Sequence, residues 1–215
     1  MPPNSLPYGM VIVSLFKLNH NELSGIFTIT AEEIICCPLC SGELLYRDSR
    51  LRMLKDFLGE LSYFYVRRLR CQTCKKIHTE LPSIIQPYRH YSSAAIQSVL
   101  DGNEPGCAAD NSTIHRWKTE FAAAEPDIGQ RLASVYAQIT GETVPMRSAY
   151  KILGTLKTKC EHWLIFVMAL LINSGHKLCT RFAYCPLSST DTVKSTNFKE
   201  TERSKEDDKA IENSS

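Results

Sequence analysis

Two short runs, CCPLC at residues 36–40 and CQTC at residues 71–74, decide how this chain can fold. Their sulfurs can clamp a metal ion, form disulfides or sit as ordinary buried thiols. The chain has nine cysteines, an odd number, and its opening MPPNSLPYGMVIVSLFKLNHNEL places no basic segment ahead of the apolar run Met10–Phe16. A secreted disulfide framework wants paired cysteines and a leader, so both features argue against it. A Cys-x-x-Cys turn supplies two thiolates from one tight loop. Two such turns complete the tetrahedron that zinc takes, with Zn–S bonds of about 2.3 Å. Cys37 and Cys40 form one pair and Cys71 and Cys74 the other, followed by the small or polar residues SGE and KK.

The thirty residues between the pairs exceed the usual spacing of about 15–20. The excess is cheap, because each doubling of loop length costs only about 0.6 kcal/mol. Structural zinc contributes about 10–16 kcal/mol at neutral pH. A redox dithiol reading finds no βαβ pattern around either pair. Cys36 competes with Cys37 for the first position, but only Cys37 reproduces the spacing of the second pair. His78 lies near enough in sequence to substitute for a ligand, although its place in the pattern reads better as an exposed strand residue. Cys107, Cys160, Cys179 and Cys185 show no paired spacing and read as ordinary thiols. A second metal site using Cys160, Cys179 and Cys185 is the weaker alternative.

Around the clamp the chain reads as α+β: a β-rich zinc ribbon, then a helical region with a helix-turn-helix-like part, then a disordered tail. Residues 1–35 form a β segment packing on the ribbon, with strands in MVIVSLF and IFTITAEEII. Residues 36–90 are the ribbon, 91–125 the helix-turn-helix-like part, 126–187 a helical carboxy-terminal region and 188–215 the tail. The tail has 5 Lys/Arg against 7 Asp/Glu and few apolar residues, the composition of a segment that cannot build a core. In LSYFYVRRLRC, strand periodicity puts Tyr63, Tyr65, Arg67 and Leu69 on one face. Ser62, Phe64, Val66, Arg68 and Arg70 take the other. Ser92 and Ser93 are cap candidates for a helix carrying Ile96, Val99 and Leu100. DGNEPG at 101–106 is a loop. Asn111, Ser112 and Thr113 offer cap oxygens to a second helix with Ile114, Trp117 and Phe121 inward. Pro126 and Pro145 punctuate the rest, with helices over Ile128–Ile139 and, broken at Gly154, over Ser148–Asn173.

The net charge of +2 gives no whole-chain attraction to nucleic acid, but residues 37–90 hold 10 Lys/Arg against 5 Asp/Glu. Arg50, Arg52, Arg67, Arg68, Arg70, Lys75 and Lys76, near Tyr63, Phe64 and Tyr65, suit phosphate contacts with stacking onto bases. The plainer alternative is a solvated strand face over a small aromatic core. Thr113, His115, Arg116 and Lys118 would present a polar, basic front at the start of the second helix, as major-groove reading asks. The alternative there is a capped surface helix.

The set CPLC…RRLRCQTCKKIHTELP…PYRHYS…STIHRW resembles the amino-terminal zinc-ribbon and helix-turn-helix module of bacterial transposases of the ISL3 type. It resembles more closely an uncharacterised bacterial family that shares this module, the domain of unknown function numbered 6431. The resemblance covers roughly residues 34–121. It implies Zn2+ on Cys37, Cys40, Cys71 and Cys74, double-stranded DNA as partner, and Arg116 with its neighbours on a reading helix. No transposase catalytic domain is expected in the rest of these 215 residues. Between Phe121 and the tail only Glu125, Asp127, Glu142 and Glu161 offer carboxylates, too few to converge on two metals.

The expectation is a non-catalytic, cytoplasmic, zinc-binding and DNA-binding bacterial protein with no small-molecule substrate. A zinc-ribbon module for protein–protein interaction is the alternative. The apolar run Trp163–Ile172 is ten residues long, half of a membrane span, so no membrane partner is expected. Apolar all round, it is either central or the interface of a homodimer.

Overall fold

A computed structural model describes residues 9–142 and 146–175. The expected tail at 188–215, and His176, Cys179 and Cys185, lie outside the described residues. Six strands precede four helices, so the architecture is α+β. The strands are β1 (Gly9–Val13), β2 (Phe16–Asn21), β3 (Ile26–Ala31), β4 (Leu44–Lys55), β5 (Leu61–Cys71) and β6 (Ile77–Pro82). They form one sheet in the order β1-β6-β5-β3-β2, with β4 paired to β5. β4 and β5 are a long antiparallel ribbon in which Arg47 is a bulge between the Tyr46–Leu69 and Asp48–Arg68 pairs. β1 joins β6 in parallel, and β3 joins β5 in parallel. The segment before the first cysteine pair is therefore woven into the ribbon's sheet.

The expected strand MVIVSLF is in fact two strands. The chain bends at Ser14 and Leu15, whose N–H groups both donate to the Glu33 carboxylate. β2 then returns as a hairpin on β3. In the first half of β5 the expected alternation holds, with Phe64 and Val66 buried and Tyr63 and Tyr65 exposed; beyond Arg68 the buried side switches to Leu69 and Cys71. Phe64 and Val66 join Ile29, Leu54, Leu81 and Ile85 in a small core beneath the sheet.

The helices are α1 (Ser93–Leu100), α2 (Asn111–Thr140), α3 (Met146–Lys159) and α4 (Trp163–Asn173). Ser92 caps α1, its Oγ accepting from the Ala95 N–H. The cap of α2 is Asp110, not Asn111, Ser112 or Thr113. Its carboxylate accepts from the Thr113 N–H at 2.8 Å and from the hydroxyls of Ser112 and Thr113. α2 does not stop at Pro126; it runs thirty residues and ends at Gly141 in a left-handed conformation. The apolar stripe Ile114, Trp117, Phe121, Ala124, Ile128, Leu132 and Val135 continues across the proline. Pro126 and Ala122, whose carbonyl loses its partner, are exposed, so water can satisfy that carbonyl. The boundary expected at residue 126 thus falls inside one helix.

The break expected at Gly154 comes instead at residues 160–162. Gln97 of α1 secures the restart: its side chain accepts from the Leu164 N–H at 3.1 Å and donates to the Glu161 carbonyl. α4 is central, with Trp163, Leu164, Val167, Met168, Leu171 and Ile172 buried among α1 and α2. It also seals the free edge of β1. Asn173 accepts from the Ile12 N–H at 2.8 Å and donates to the Ile12 carbonyl at 2.9 Å, as a neighbouring strand would. No helix among the described residues is long and apolar enough to cross a membrane.

The Asp110 cap has a pH signature. Hydrogen bonds from Ser112 and then Thr113 hold its carboxyl down at about 2, against an ordinary 3.8. A depressed folded-state value means the cap contributes fully above about pH 4 and is lost as pH falls toward 2. Asp110→Ala is expected to lower Tm at pH 5–7 and to converge on the parent by pH 2. Parallel thermal melts of the two proteins across that range check it.

Candidate metal centre

Each cysteine pair sits in a tight turn whose backbone explains the residues that follow. Before β4, the Ser41 N–H donates to the Cys37 carbonyl at 2.8 Å, and the Cys37 N–H to the Gly42 carbonyl at 2.9 Å. Between β5 and β6, the Lys75 N–H donates to the Cys71 carbonyl at 3.1 Å, and the Cys71 N–H to the Lys76 carbonyl at 2.9 Å. The two turns are the same object at equivalent positions. Both place a non-glycine residue, Ser41 (φ 55°) and Lys75 (φ 59°), in the left-handed region directly after the second cysteine. Gly42 is required by the close approach of the turns. A Cβ there would stand 2.4 Å from Thr73 Oγ1 and 3.0 Å from Cys71 Sγ.

The result is four converging sulfurs. Cys37, Cys40, Cys71 and Cys74 place their Sγ atoms within 4.8 Å of one another, with Cys37–Cys74 at 3.7 Å and Cys40–Cys71 at 3.5 Å. A disulfide needs about 2.05 Å. Tetrahedral Zn–S bonds of about 2.3 Å put sulfurs about 3.8 Å apart. The spacing therefore fits a metal ion held by four thiolates, a donor set suited to zinc. Among the described residues this is the one group of three or more His, Cys, Asp or Glu able to hold an ion. Cys36 is exposed and outside it. Cys107 and Cys160 are half-buried thiols packed on the helical core.

Without a cation the four thiols are electrostatically unequal. Burial pushes the Cys37 thiol up to about 12. Burial also opposes ionisation of Cys71, but hydrogen bonds from the Cys74 amide, the Cys40 side chain and the Thr73 amide outweigh it and hold that thiol down at about 6. A metal ligand must be a thiolate, so binding a divalent cation would release the thiol protons that remain.

His78 is placed otherwise than expected. It is not an exposed strand residue: it is fully buried, with Nε2 3.3 Å from Cys37 Sγ. Burial, and then the charge of Lys76, keep its pKa below the usual value.

The basic residues separate into two groups. Arg67 and Arg68 are committed to forked ion pairs with Glu80 and Asp48. Arg52 turns inward, its Nη2 donating to the Arg89 carbonyl at 3.0 Å. Lys118 pairs with Glu104, and the Thr113 hydroxyl serves the Asp110 cap. Arg50, Arg70, Lys75 and Lys76 are exposed and make no ion pair among the described residues. His115 and Arg116 are exposed on the first turns of α2, and Arg116 donates to Thr113 Oγ1 at 3.5 Å. Phe64 belongs to the core, so of the three neighbouring aromatics of β5 Tyr63 and Tyr65 are the exposed ones. Strand pairing puts them, with Leu51 and Leu61, on the face opposite Arg50 and Arg70. α1 and α2 are joined by ten residues, 101–110, where a helix-turn-helix has a turn of about 3–4.

A family model described as a domain of unknown function, DUF6431, matches residues 37–117. The matched span takes in all four cysteines, His78 and the start of α2, so the chain is similar to that family over the whole metal centre. No curated protein and no solved structure matches the chain.

Proposed function

We propose that this chain is a non-catalytic zinc-ribbon protein that binds double-stranded DNA, with the metal fixing a cationic end of the ribbon against phosphates. The observation that carries the reading is the set Arg50, Arg70, Lys75 and Lys76: exposed cations without ion-pair partners among the described residues, two of them within the second metal turn. A turn clamped by a metal presents its lysines at fixed positions, which lowers the ordering cost of each phosphate contact. His115 and Arg116 would add contacts from α2. The resemblance to the amino-terminal modules of ISL3-type transposases points the same way.

Zinc, when bound, would supply structural cross-linking only. Four sulfur ligands fill its tetrahedron and leave no open position for a substrate.

Salt tests the reading. Each neutralised phosphate adds about 0.9 to the slope of log K against log salt, so four contacts predict a slope near −3.6. The double substitution Arg70→Ala and Lys75→Ala is expected to flatten that slope by about 2 without changing metal content. Absence of duplex binding by zinc-loaded protein at low salt overturns the proposal.

One observation favours a second reading, a protein partner. Leu51, Leu61, Tyr63 and Tyr65 share one sheet face and are 47%, 51%, 40% and 40% exposed. Tyr65→Glu would abolish such an interaction and leave the salt slope for DNA untouched.

A further inference from the structure

We propose that His78 is a positioning residue of the metal centre: its Nε2–H donates a hydrogen bond to the Cys37 sulfur and holds that sulfur in the ligand set. The inference rests on the metal-binding reading and adds a residue to it.

Three observations carry it. His78 has no exposed surface, and its Nε2 lies 3.3 Å from Cys37 Sγ. Its other nitrogen, Nδ1, is buried without any hydrogen-bond partner. A neutral imidazole carries one N–H, and only at Nε2 does an acceptor stand in reach, so the proton belongs there. Finally, the four sulfurs form the mutually close set, and His78 is not a member of it. The ring supports a ligand and does not replace one.

The sheet is built to fix this ring. β6 lies between β5 and β1, with His78 opposite Leu69 on one side and Gly9 on the other. A Cβ at residue 9 would stand 2.4 Å from Nδ1 and 2.7 Å from Cε1, so only glycine admits the imidazole. β1, sixty-nine residues earlier in sequence, thereby presses the ring toward Cys37. Four thiolates on a divalent ion leave an excess of two negative charges, and N–H donors at the sulfurs offset that excess in a buried site. Cys71 has such a donor in the Cys74 amide at 3.4 Å, and His78 gives Cys37 one from a side chain.

Glutamine and asparagine separate the donor from mere space filling. A Gln amide nitrogen reaches about where Nε2 stands; an Asn amide nitrogen stops about where Nδ1 stands. His78→Asn is expected to weaken Zn2+ binding roughly 10–100-fold in chelator competition, while His78→Gln keeps most of the parent's affinity. Gly9→Ala should weaken binding in the same direction by displacing the ring. The absorption of Co2+-loaded parent and variants should show all-sulfur coordination throughout. Equal affinity for the Asn and Gln variants overturns the proposal. So does a parent spectrum with a nitrogen ligand that His78→Asn removes, which would make His78 a ligand. If the parent binds neither Co2+ nor Zn2+, the metal reading itself falls, and that outcome is distinct from the other two.

Discussion

Chelating the metal from the zinc-loaded protein, or replacing Cys74 by Ala, is expected to unfold the ribbon and to have the largest effect of any single change considered. The reason is where the apolar interior lies. The core beneath the sheet contains six buried residues, whereas the helical core contains eighteen. At the turn end of the ribbon Leu39, Leu45 and Tyr46 are 49%, 45% and 61% exposed, and Cys37, Leu69, Cys71 and His78 are the buried residues there among those described. Apolar burial cannot hold that end closed. A structural zinc held by the four sulfurs would contribute on the order of 10 kcal/mol there. Opening the turns also frees four sulfurs and strands His78 in a cavity. Hydrogen exchange is the direct measurement. On chelation the amides of Cys37, Cys71 and Lys75, which close the turns, should lose protection first. Amides of α2 and α4, held by the separate helical core, should stay slow. Unchanged protection at Cys71 after metal removal, or unchanged metal content in Cys74→Ala, defeats the expectation.

The cysteine turns were legible because their chemistry is local: Cys-x-x-Cys and the residue after it write a complete turn within six positions. The starts of the helices were nearly as legible, since Ser92 and the Ile114–Trp117–Phe121 stripe depend on neighbours within one or two turns. What escaped depends on contacts distant in sequence. β2 is exposed at five of its six positions and carries no alternating pattern, so its pairing with β3 alone makes it a strand. Pro126 reads as a stop, yet burial of Phe121, Ala124 and Ile128 on the far side outweighs the lost hydrogen bond. His78 reads as an exposed residue because the glycine that makes room for it belongs to β1. Arginine roles were the least legible. Arg67, Arg68 and Arg70 are near neighbours in one strand, and only the cross-strand carboxylates Glu80 and Asp48 decide which of them are occupied.

That division yields the second large effect. Arg67→Met is expected to destabilise the fold by about 3 kcal/mol and to leave the salt slope of duplex binding unchanged. Glu80 is almost wholly buried, its side chain 4% exposed, and the Arg67 guanidinium grips it through two nitrogens, Nη2–Oε1 at 2.7 Å. The same hydrogen bonds to Glu80 raise the Arg67 pKa, against the opposing pull of burial. Removing one partner of a buried pair leaves the other charge uncompensated, at about 3–5 kcal/mol. Arg67 keeps about one-third of its side chain in water, which screens the pair and favours the lower end of that range. Removing both charges should restore much of the loss, so Arg67→Met combined with Glu80→Leu is expected to be more stable than Arg67→Met alone. Arg70→Ala, three residues along the strand and without an ion-pair partner, should behave oppositely, with stability within about 0.5 kcal/mol of the parent and a salt slope flatter by about 1. Urea unfolding of the four zinc-loaded proteins, beside duplex titrations at several salt concentrations, reads both quantities. If Arg67→Met flattens the slope while leaving stability intact, Arg67 contacts phosphate and the ion pair with Glu80 is expendable.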